Sequence, residues 1–413
     1  MGKRMAALAL AVCMALPLFG CGGKLKAQSL TEGITARTID THTDLTDDST
    51  AVMDFAAALL RQTAEPEGVL LSPVSVLYAL GMTANGASGD TLTQLEQAMG
   101  MDLTALNDYL YTYRMSLPEN TKKCKLSLSN SLWVRDIFRV DDAFLDTCAN
   151  YYGAEAYRSA FDDSLVTDLN RWVDNKTDGM ISSLLDQPPT DRTMLYLVNA
   201  VCFDAKWQEP YEKSDIEQGA AFTAADGTRQ TADLLWSRES VYLSDDNTTG
   251  FMKYYDGGRY AFAALLPNEG VSLEDYVAGL TGGKLHALLN GHRYGTVEAA
   301  IPRFTASSSL ELSDALKAMG VTDAFDASRA DLRAMGSAPN DQLYVSAVLH
   351  KTYLSLDENG TKAAAVTAVV NESGSAEPPQ VYRVVLDRPF VYMIVDTHAN
   401  LPLFLGTVTQ MDG

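Results

Sequence analysis

The stretch ENGTKAAAVTAVVNESGSAEPP, residues 358–379, constrains the possible folds more than any other part of the chain. Its first half is built mainly from Ala, Val and Thr, a composition suited to a buried β-strand. Its second half is rich in Gly, Ser, Glu and Pro, as in an exposed loop. Runs of strand character flank it at residues 343–356 and 381–386. A fold for this chain must therefore explain an exposed connection that is built like a strand.

The N-terminus has the pattern of a secretion signal. Two basic residues precede an apolar run at residues 5–19, which is shorter than the roughly 20 residues of a membrane-spanning helix. The Leu-Phe-Gly-Cys sequence that ends at Cys21 resembles the lipobox of bacterial lipoproteins, although Phe19 is larger than usual there. We therefore predict a lipoprotein-type signal peptide at residues 1–20 and a lipid on Cys21. The alternative is an ordinary signal peptide with an incidental Cys.

The composition is that of a globular protein with a strong acidic excess. Hydrophobic residues make up 46% of the chain, and 32 basic against 53 acidic side chains give a formal net charge of −21. This balance argues against nucleic acid, heparin-like polyanions and anionic lipid head groups as partners. The Cys residues that follow the signal are widely spaced, so they predict neither a disulfide framework nor a metal site.

Helical signals predominate early in the chain and strand signals late. Residues 21–47 lack hydrophobic periodicity and are predicted to form a tether. Apolar spacing at residues 52–59 predicts an amphipathic helix, and Ser72, followed by Pro, is predicted to cap another. The apolar run at residues 196–203 has the character of a buried strand. These signals predict one large α+β domain at residues 48–412.

The chain carries none of the common catalytic motifs. No G-x-S-x-G elbow, H-E-x-x-H motif, Walker loop or dinucleotide fingerprint occurs in it. None of the five His residues lies at a metal-ligand spacing from Cys, Asp or Glu. We therefore predict a protein that is not an enzyme and that uses no cofactor and no metal.

Six blocks of sequence, in order, resemble the serpin family along nearly the whole folded part. They are SPVSVLYALGMTANGASGDT (72–91), LNRWVDNKTDGMI (169–181), LVNAVCFDAKWQEPY (197–211), VEAAIPRFTASSSLELSDALKAMGVTDAFD with ADLRAM (297–335), HKTYLSLDENGTKAAAVTA (350–368), and LDRPFVYMIVD with PLFLGTV (386–408). The departures are small, such as Met180 where Lys is common. The resemblance implies a serpin fold: one large α+β domain with a central β-sheet, further sheets, surrounding helices and an exposed reactive-centre loop at about residues 358–380.

The resemblance also implies a suicide-substrate inhibitor of serine proteases. In this mechanism a target protease cleaves the loop and forms an acyl-enzyme. The hinge, defined here as residues 358–370, then inserts into the central sheet before the acyl-enzyme hydrolyses. The strand-like composition of the hinge is therefore explained if this segment becomes a strand after cleavage.

The hinge residues alternate in a way that suits insertion. Successive side chains of a strand point to opposite faces. The face that begins at Thr361 carries only small or β-branched uncharged side chains: Thr361, Ala363, Ala365, Thr367 and Val369. We expect this face to be buried beneath packed helices, with Lys362 solvated on the other face. Glu358 begins the hinge, and Gly360 supplies torsions that other residues resist. A mobile Ala-rich loop is the alternative.

Five residues resemble positions at which the central sheet of serpins opens. Ser72, Ser75, Asn199 and His350 match the shutter, a buried polar cluster whose hydrogen-bond partners exchange as strands separate. Trp207 matches the breach, where insertion begins. The alternative is a set of ordinary core residues with satisfied hydrogen bonds.

The loop sequence gives an indication of the target. Counting seventeen residues from Glu358, the spacing implied by inhibitory relatives, places the reactive bond between Gly374 and Ser375. Small residues suit the shallow pocket of elastase-like or subtilisin-like serine proteases, and Glu372 leaves a Glu-specific protease open. Two rival functions also stay open: a non-inhibitory binding protein on the same fold, and an inhibitor of papain-like cysteine proteases.

The predicted partners and location follow from these features. We expect a target serine protease held in a covalent acyl complex, and a monomeric inhibitor that binds no nucleic acid or heparin. The signal predicts secretion, with the protein anchored to the outer face of the cell membrane through the lipid on Cys21. Membrane contact is expected only through that lipid.

Overall fold

The computed structural model describes residues 25–41, 43–46, 49–191, 193–337, 343–361 and 380–411. Several predicted functional residues lie outside these ranges. These are the lipidation site Cys21, the hinge residues Ala363, Ala365 and Thr367, and the reactive-bond residues Gly374 and Ser375. Of the hinge, Glu358, Asn359, Gly360 and Thr361 are described.

The described residues form nine α-helices. These are α1 (Ser49–Thr63), α2 (Pro73–Asn85), α3 (Gly89–Met99), α4 (Leu103–Ser116), α5 (Asp142–Tyr152), α6 (Asp163–Lys176), α7 (Leu273–Ala278), α8 (Gly282–Asn290) and α9 (Ser313–Ala318). The helix predicted from residues 52–59 is confirmed as α1, whose periodic apolar side chains are buried.

The same ranges form eighteen β-strands. These are β1 (Gln28–Ser29), β2 (Val69–Leu71), β3 (Cys124–Arg135), β4 (Arg139–Val140), β5 (Glu155–Ser159), β6 (Leu195–Lys206), β7 (Ile216–Thr223), β8 (Arg229–Ser244), β9 (Thr248–Tyr254), β10 (Tyr260–Pro267), β11 (Arg293–Pro302), β12 (Phe304–Glu311), β13 (Gly336–Ser337), β14 (Leu349–Asp357), β15 (Gly360–Thr361), β16 (Val381–Val385), β17 (Phe390–Asp396) and β18 (Leu401–Val408).

Two large sheets organise the molecule. A seven-stranded sheet has the order β1-β5-β3-β6-β15-β14-β12. A nine-stranded sheet has the order β16-β11-β8-β9-β10-β17-β18-β2, and β7 pairs with β8 beside this path. Strands β4 and β13 form a separate pair. The predicted α+β organisation with a central sheet and further sheets is confirmed.

The two faces of β6 belong to different hydrophobic clusters. Val201, Phe203 and Ala205 face the main core, which also contains the inner strands of the nine-stranded sheet. Val198 and Ala200 point the other way, into a second cluster that α6 covers with Leu165, Leu169 and Trp172. This alternation gives each face of the seven-stranded sheet its own covering layer.

The predicted tether differs from the structure. Gln28 and Ser29 form β1, which pairs with β5 at the edge of the seven-stranded sheet. The N–H groups of Lys26 and Ala27 both donate to Oδ2 of the buried Asp168 on α6, at 2.7 and 2.8 Å. The prediction of a tether up to residue 47 is therefore wrong for the described part of the segment. Backbone hydrogen bonds hold it, and these need no hydrophobic periodicity in the sequence.

The strand predicted at residues 343–356 is shorter than expected at its start. Only Leu349–Asp357 forms β14, and residues 343–348 lie outside any strand. Val345 instead donates its N–H to the carbonyl oxygen of Ala324, and Leu343 is buried. The sequence of this stretch looks like a strand because its apolar side chains are partly buried, although its backbone forms no strand.

Candidate functional site

The first residues of the hinge already lie inside the seven-stranded sheet. Thr361 of β15 pairs with Leu356 of β14 on one side and with Ala205 of β6 on the other. Both pairings are antiparallel, so β6 and β14 run parallel to each other with β15 between them. The two residues of β15 thus occupy a position from which a longer strand could continue between the same neighbours.

Gly360 is required by the local geometry of β15. Its φ of +149° lies in a region that side-chain-bearing residues rarely adopt. A Cβ atom at this position would also collide with the carbonyl oxygen of Ala205. The predicted special torsions of Gly360 are thus present in the structure, together with a close backbone approach that the sequence did not indicate.

Thr361 is buried against the nine-stranded sheet. Its Oγ1 lies 2.8 Å from the hydroxyl oxygen of Tyr255, and both residues are buried. The expectation that this face lies beneath packed helices is therefore wrong for Thr361. The side chain shares its face of the sheet with Ala205 and Leu356, which belong to the main core, while α6 covers the opposite face.

Trp207 holds the chain that leads into β15. Its indole N–H donates to the carbonyl oxygen of Asp357 at 2.9 Å, and its backbone N–H donates to that of Asn359 at 3.0 Å. Its ring stacks on Tyr255, with ring centroids 4.4 Å apart and planes 13° from parallel. The residue predicted at the breach therefore contacts the backbone on both sides of Glu358.

Glu358 is fixed at its backbone and at its side chain. Its carbonyl oxygen accepts the N–H of Tyr211 at 3.0 Å, and its Oε2 lies 2.7 Å from Nη2 of Arg303. Arg303 also reaches Asp233 at 3.3 Å. This ion pair is partly exposed, so it orients Glu358 more than it stabilises the fold.

Ser72 and His350 form one half of the predicted shutter. The backbone N–H of Ser72 donates to Nε2 of His350 at 3.0 Å. Ser72 occupies the N-cap of α2 as predicted, yet its hydroxyl makes no capping hydrogen bond. Burial lowers the pKa of His350 to about 4, so the ring is neutral near pH 7.

Ser75 and Asn199 form the other half. The Ser75 hydroxyl donates to Oδ1 of Asn199, whose amide nitrogen donates to Oδ1 of Asn130 on β3. Asn130 in turn donates to the carbonyl oxygen of Tyr152 at 2.7 Å. This chain of hydrogen bonds connects α2 to β6, β3 and the end of α5.

The first turn of α2 therefore spans the two strands that flank β15. Ser72 contacts β14 through His350, and Ser75 contacts β6 through Asn199. The four shutter residues form two hydrogen-bonded pairs, which α2 links. Separation of β6 from β14 would have to break or re-form at least one of these pairs.

Three residues of this region were missed by sequence reasoning. Tyr255 follows β9 in an ordinary Lys-Tyr-Tyr-Asp-Gly turn, and nothing in that stretch marks it as a contact of the hinge. Asn130 sits in a polar strand segment, and Arg303 follows a Pro in a block quoted only for its resemblance. Their roles depend on contacts between distant parts of the chain, which periodicity does not encode.

The described residues contain no cluster of side chains that could hold a metal ion. Within the ranges that the structure describes, no three His, Cys, Asp or Glu side chains come together as a metal site would require. Cys124, Cys148 and Cys202 form no disulfide bond within the described ranges, and burial raises the pKa of the Cys124 thiol to about 11. None of the helices in the described part of the chain is both long and apolar enough to cross a membrane.

A sequence model of one protein family matches residues 50–411 of this chain. Its description is serpin (serine protease inhibitor). The chain belongs to the serpin family, and the resemblance stated from the six sequence blocks is confirmed. As a serpin it is a member of a family of protease inhibitors, which do not turn over substrate as enzymes do.

Curated relatives match over most of their length. Neuroserpin of Gallus gallus is 29% identical over 366 residues, which covers 84% of this chain and 87% of the relative. Serpin A3-1 of Bos taurus is 30% identical over 390 residues, which covers 91% of this chain and 90% of the relative.

Solved structures confirm the predicted serpin fold. The native state of tengpin, a thermophilic serpin, has a TM-score of 0.87 and 38% identity, and the match covers 94% of this chain and all of that one. Human thyroxine-binding globulin has a TM-score of 0.79 and 25% identity, and the match covers 89% of this chain and all of that one. The second similarity shows that the fold also occurs in a protein named for binding thyroxine.

Proposed function

We propose that this serpin is a suicide-substrate inhibitor of serine proteases, with an elastase-like or subtilisin-like target favoured. The protease cleaves between Gly374 and Ser375 and forms an acyl-enzyme, and the hinge inserts between β6 and β14 before hydrolysis. The observation that carries the proposal is the position of Thr361, which is already paired with both of these strands.

The sheet geometry supports insertion in a defined direction. A chain that continues from Thr361 in the direction of β15 would run antiparallel to β6 and to β14 at once. It would gain ladder hydrogen bonds on both edges, which an exposed loop lacks. The free energy of this added strand is what would let insertion compete with hydrolysis of the acyl-enzyme.

The alternation of the hinge supports the same register. If the strand continues without a bulge, Ala363, Ala365 and Thr367 lie on the same face as Thr361, toward the main core. Small side chains on that face suit burial, and Lys362 would point to the face that α6 covers in part. These residues lie outside the described ranges, so their placement belongs to the proposal.

Two other functions are alternatives to this proposal. The similarity to thyroxine-binding globulin favours, as the second candidate, a binding protein whose loop is cleaved without trapping the protease. An inhibitor of papain-like cysteine proteases would use the same insertion, because that step does not depend on the nucleophile that attacks the loop. A covalent bond to a protease separates both kinds of inhibitor from the binding protein, and the class of protease that forms the bond separates a serine-protease inhibitor from a cysteine-protease inhibitor.

The test is incubation with a panel of proteases followed by a denaturing gel. The panel contains elastase-like, subtilisin-like, trypsin-like, Glu-specific and papain-like enzymes. We expect a band at the summed mass with an elastase-like or subtilisin-like enzyme, and a released peptide that begins at Ser375 by mass spectrometry. Gly374→Arg should move complex formation to the trypsin-like enzyme, and Ser373→Arg is the matched control. Cleavage without a covalent band across the panel would favour the binding protein.

The location is also proposed. We infer a signal peptide at residues 1–20 and a lipid on Cys21, which would anchor a monomeric inhibitor outside the cell. Because the structured domain begins by residue 25, only residues 22–24 would separate the lipid from it. Three residues span about 10 Å when extended, so the domain would lie close to the membrane. Cys21→Ser should release the protein from membranes; equal retention of both proteins would exclude the lipid.

A further inference from the structure

Tyr255 is the side-chain hydrogen-bond partner of Thr361 among the residues that the structure describes. The hydroxyl of Tyr255 and Oγ1 of Thr361 lie 2.8 Å apart, at a fully buried position between the two large sheets. Two aromatic contacts hold the Tyr255 ring. It stacks on Trp207 and meets Phe203 edge to face, with centroids 5.0 Å apart and planes at 81°.

This rigid ring gives the hydroxyl a fixed position. Burial raises the pKa of Tyr255 above its ordinary value, so the hydroxyl is protonated at neutral pH. Trp207 offers no replacement partner, because its indole N–H donates to the carbonyl oxygen of Asp357. When Thr361 leaves the sheet, the Tyr255 hydroxyl therefore loses its partner in a buried site, which is unfavourable.

We propose that Tyr255 is a positioning residue that holds Thr361 in the sheet, so that insertion starts from a strand already in register. This inference rests on the proposed inhibitory function and adds a specific residue to it. An inserting strand must first order its leading residues before it gains ladder hydrogen bonds, and that ordering costs conformational entropy. With Thr361 held by Tyr255, the step is complete before the protease cleaves the loop.

The same contact favours a residue with a hydroxyl group at position 361. A hydroxyl at position 361 satisfies Tyr255, whereas an apolar side chain of the same shape leaves the Tyr255 hydroxyl unpartnered. The reverse holds for Phe at position 255, which would leave Oγ1 of Thr361 buried without a partner. Removing both hydroxyls together leaves neither group unsatisfied, so the double variant should recover.

The test compares Tyr255→Phe, Thr361→Val and the double variant with the wild type. The readout is the partition ratio, the moles of serpin hydrolysed for each mole of protease trapped. We expect each single variant to raise this ratio about fivefold or more, and the double variant to return most of the way to the wild type. Tyr260→Phe is the matched control, since its buried hydroxyl has no hydrogen-bond partner among the described residues.

A second measurement does not need a protease. Hydrogen exchange at the amides of Gly360 and Thr361 should be faster in each single variant than in the wild type and in Tyr260→Phe. If the wild type traps no protease of the panel, the proposed function fails, and the exchange result still decides the role of Tyr255. Equal exchange in Tyr255→Phe and the wild type would overturn the inference. So would a double variant whose defects in partition ratio simply add, since that indicates loss of packing alone.

Discussion

The backbone N–H of Ser72 donates to Nε2 of His350 across 3.0 Å, which joins the first turn of α2 to β14. An imidazole nitrogen accepts a hydrogen bond only when it carries no proton, so the ring must be neutral with its proton on Nδ1. Burial favours the neutral ring, since it lowers the pKa of His350 to about 4. The link between α2 and β14 therefore depends on the protonation state of one side chain.

We predict a loss of stability on acidification that originates at His350. In the unfolded chain a His has a pKa of about 6.5. Between pH 6.5 and 4 the unfolded chain therefore binds a proton that the folded chain does not, and the stability from His350 falls with pH. The contribution is complete above pH 6.5, and on the order of 3 kcal/mol is lost by pH 4. The measurement is the free energy of unfolding at pH 7.5 and at pH 4.5.

The control for this prediction is His350→Gln. Its side-chain oxygen can accept the Ser72 N–H without titrating, so the variant should lose about 2 kcal/mol less than the wild type over the same pH interval. Carboxylates elsewhere titrate equally in both proteins and cancel in the comparison. Parallel pH curves for the two proteins would mean that His350 does not carry the effect.

Asp168 should anchor the N-terminal segment to α6. Its buried carboxylate accepts two backbone N–H groups, and hydrogen bonds to a charged group contribute about 1.5–3 kcal/mol each. Asp168→Ala should therefore detach the segment and speed tryptic cleavage after Lys26 at least tenfold. The exposed Asp163 of the same helix provides the control variant Asp163→Ala. If both variants are cut after Lys26 at the rate of the wild type, the segment is held by other contacts.

Much of the fold could be predicted because it depends on local patterns. The apolar spacing in α1 is written in consecutive residues and agrees with the structure. The alternation of the hinge after Thr361 stays a prediction, because residues 362–370 lie outside the described ranges. The docking of residues 25–29 could not be predicted, because Asp168 lies more than a hundred residues away and looks like an ordinary helical acid. Tyr255 escaped notice for the same reason, since only the packing of the two sheets brings it to Thr361.

Gly360→Ala should expel β15 from the sheet. The change adds a Cβ atom that collides with the carbonyl oxygen of Ala205, at a φ that Ala rarely adopts. Because β15 is only two residues long, we expect a small change in melting temperature and a large increase in hydrogen exchange at Thr361. Gly227 also has a positive φ but has open space around it, so Gly227→Ala separates backbone strain from the collision. Unchanged exchange at Thr361 in Gly360→Ala would show that β15 tolerates the added atom.

Thr361→Arg should convert the inhibitor into a substrate. The change brings a charge to a buried position beside Tyr255, and burying an unpaired charge costs several kcal/mol. Insertion should then become slower than hydrolysis of the acyl-enzyme, so the protease cuts the loop and leaves. Lys362→Arg is the matched control, since it keeps the charge at the next position, which strand alternation predicts to lie on the opposite face.

The most direct test of loop insertion is the melting temperature before and after cleavage of the loop, read together with the yield of covalent complex. The account predicts that wild type and Lys362→Arg trap protease and melt well above their intact forms once cleaved, because a strand paired on both edges replaces an exposed loop. Thr361→Arg should give little complex and a smaller gain in melting temperature. A Thr361→Arg protein that traps protease and gains stability as the wild type does would contradict the account.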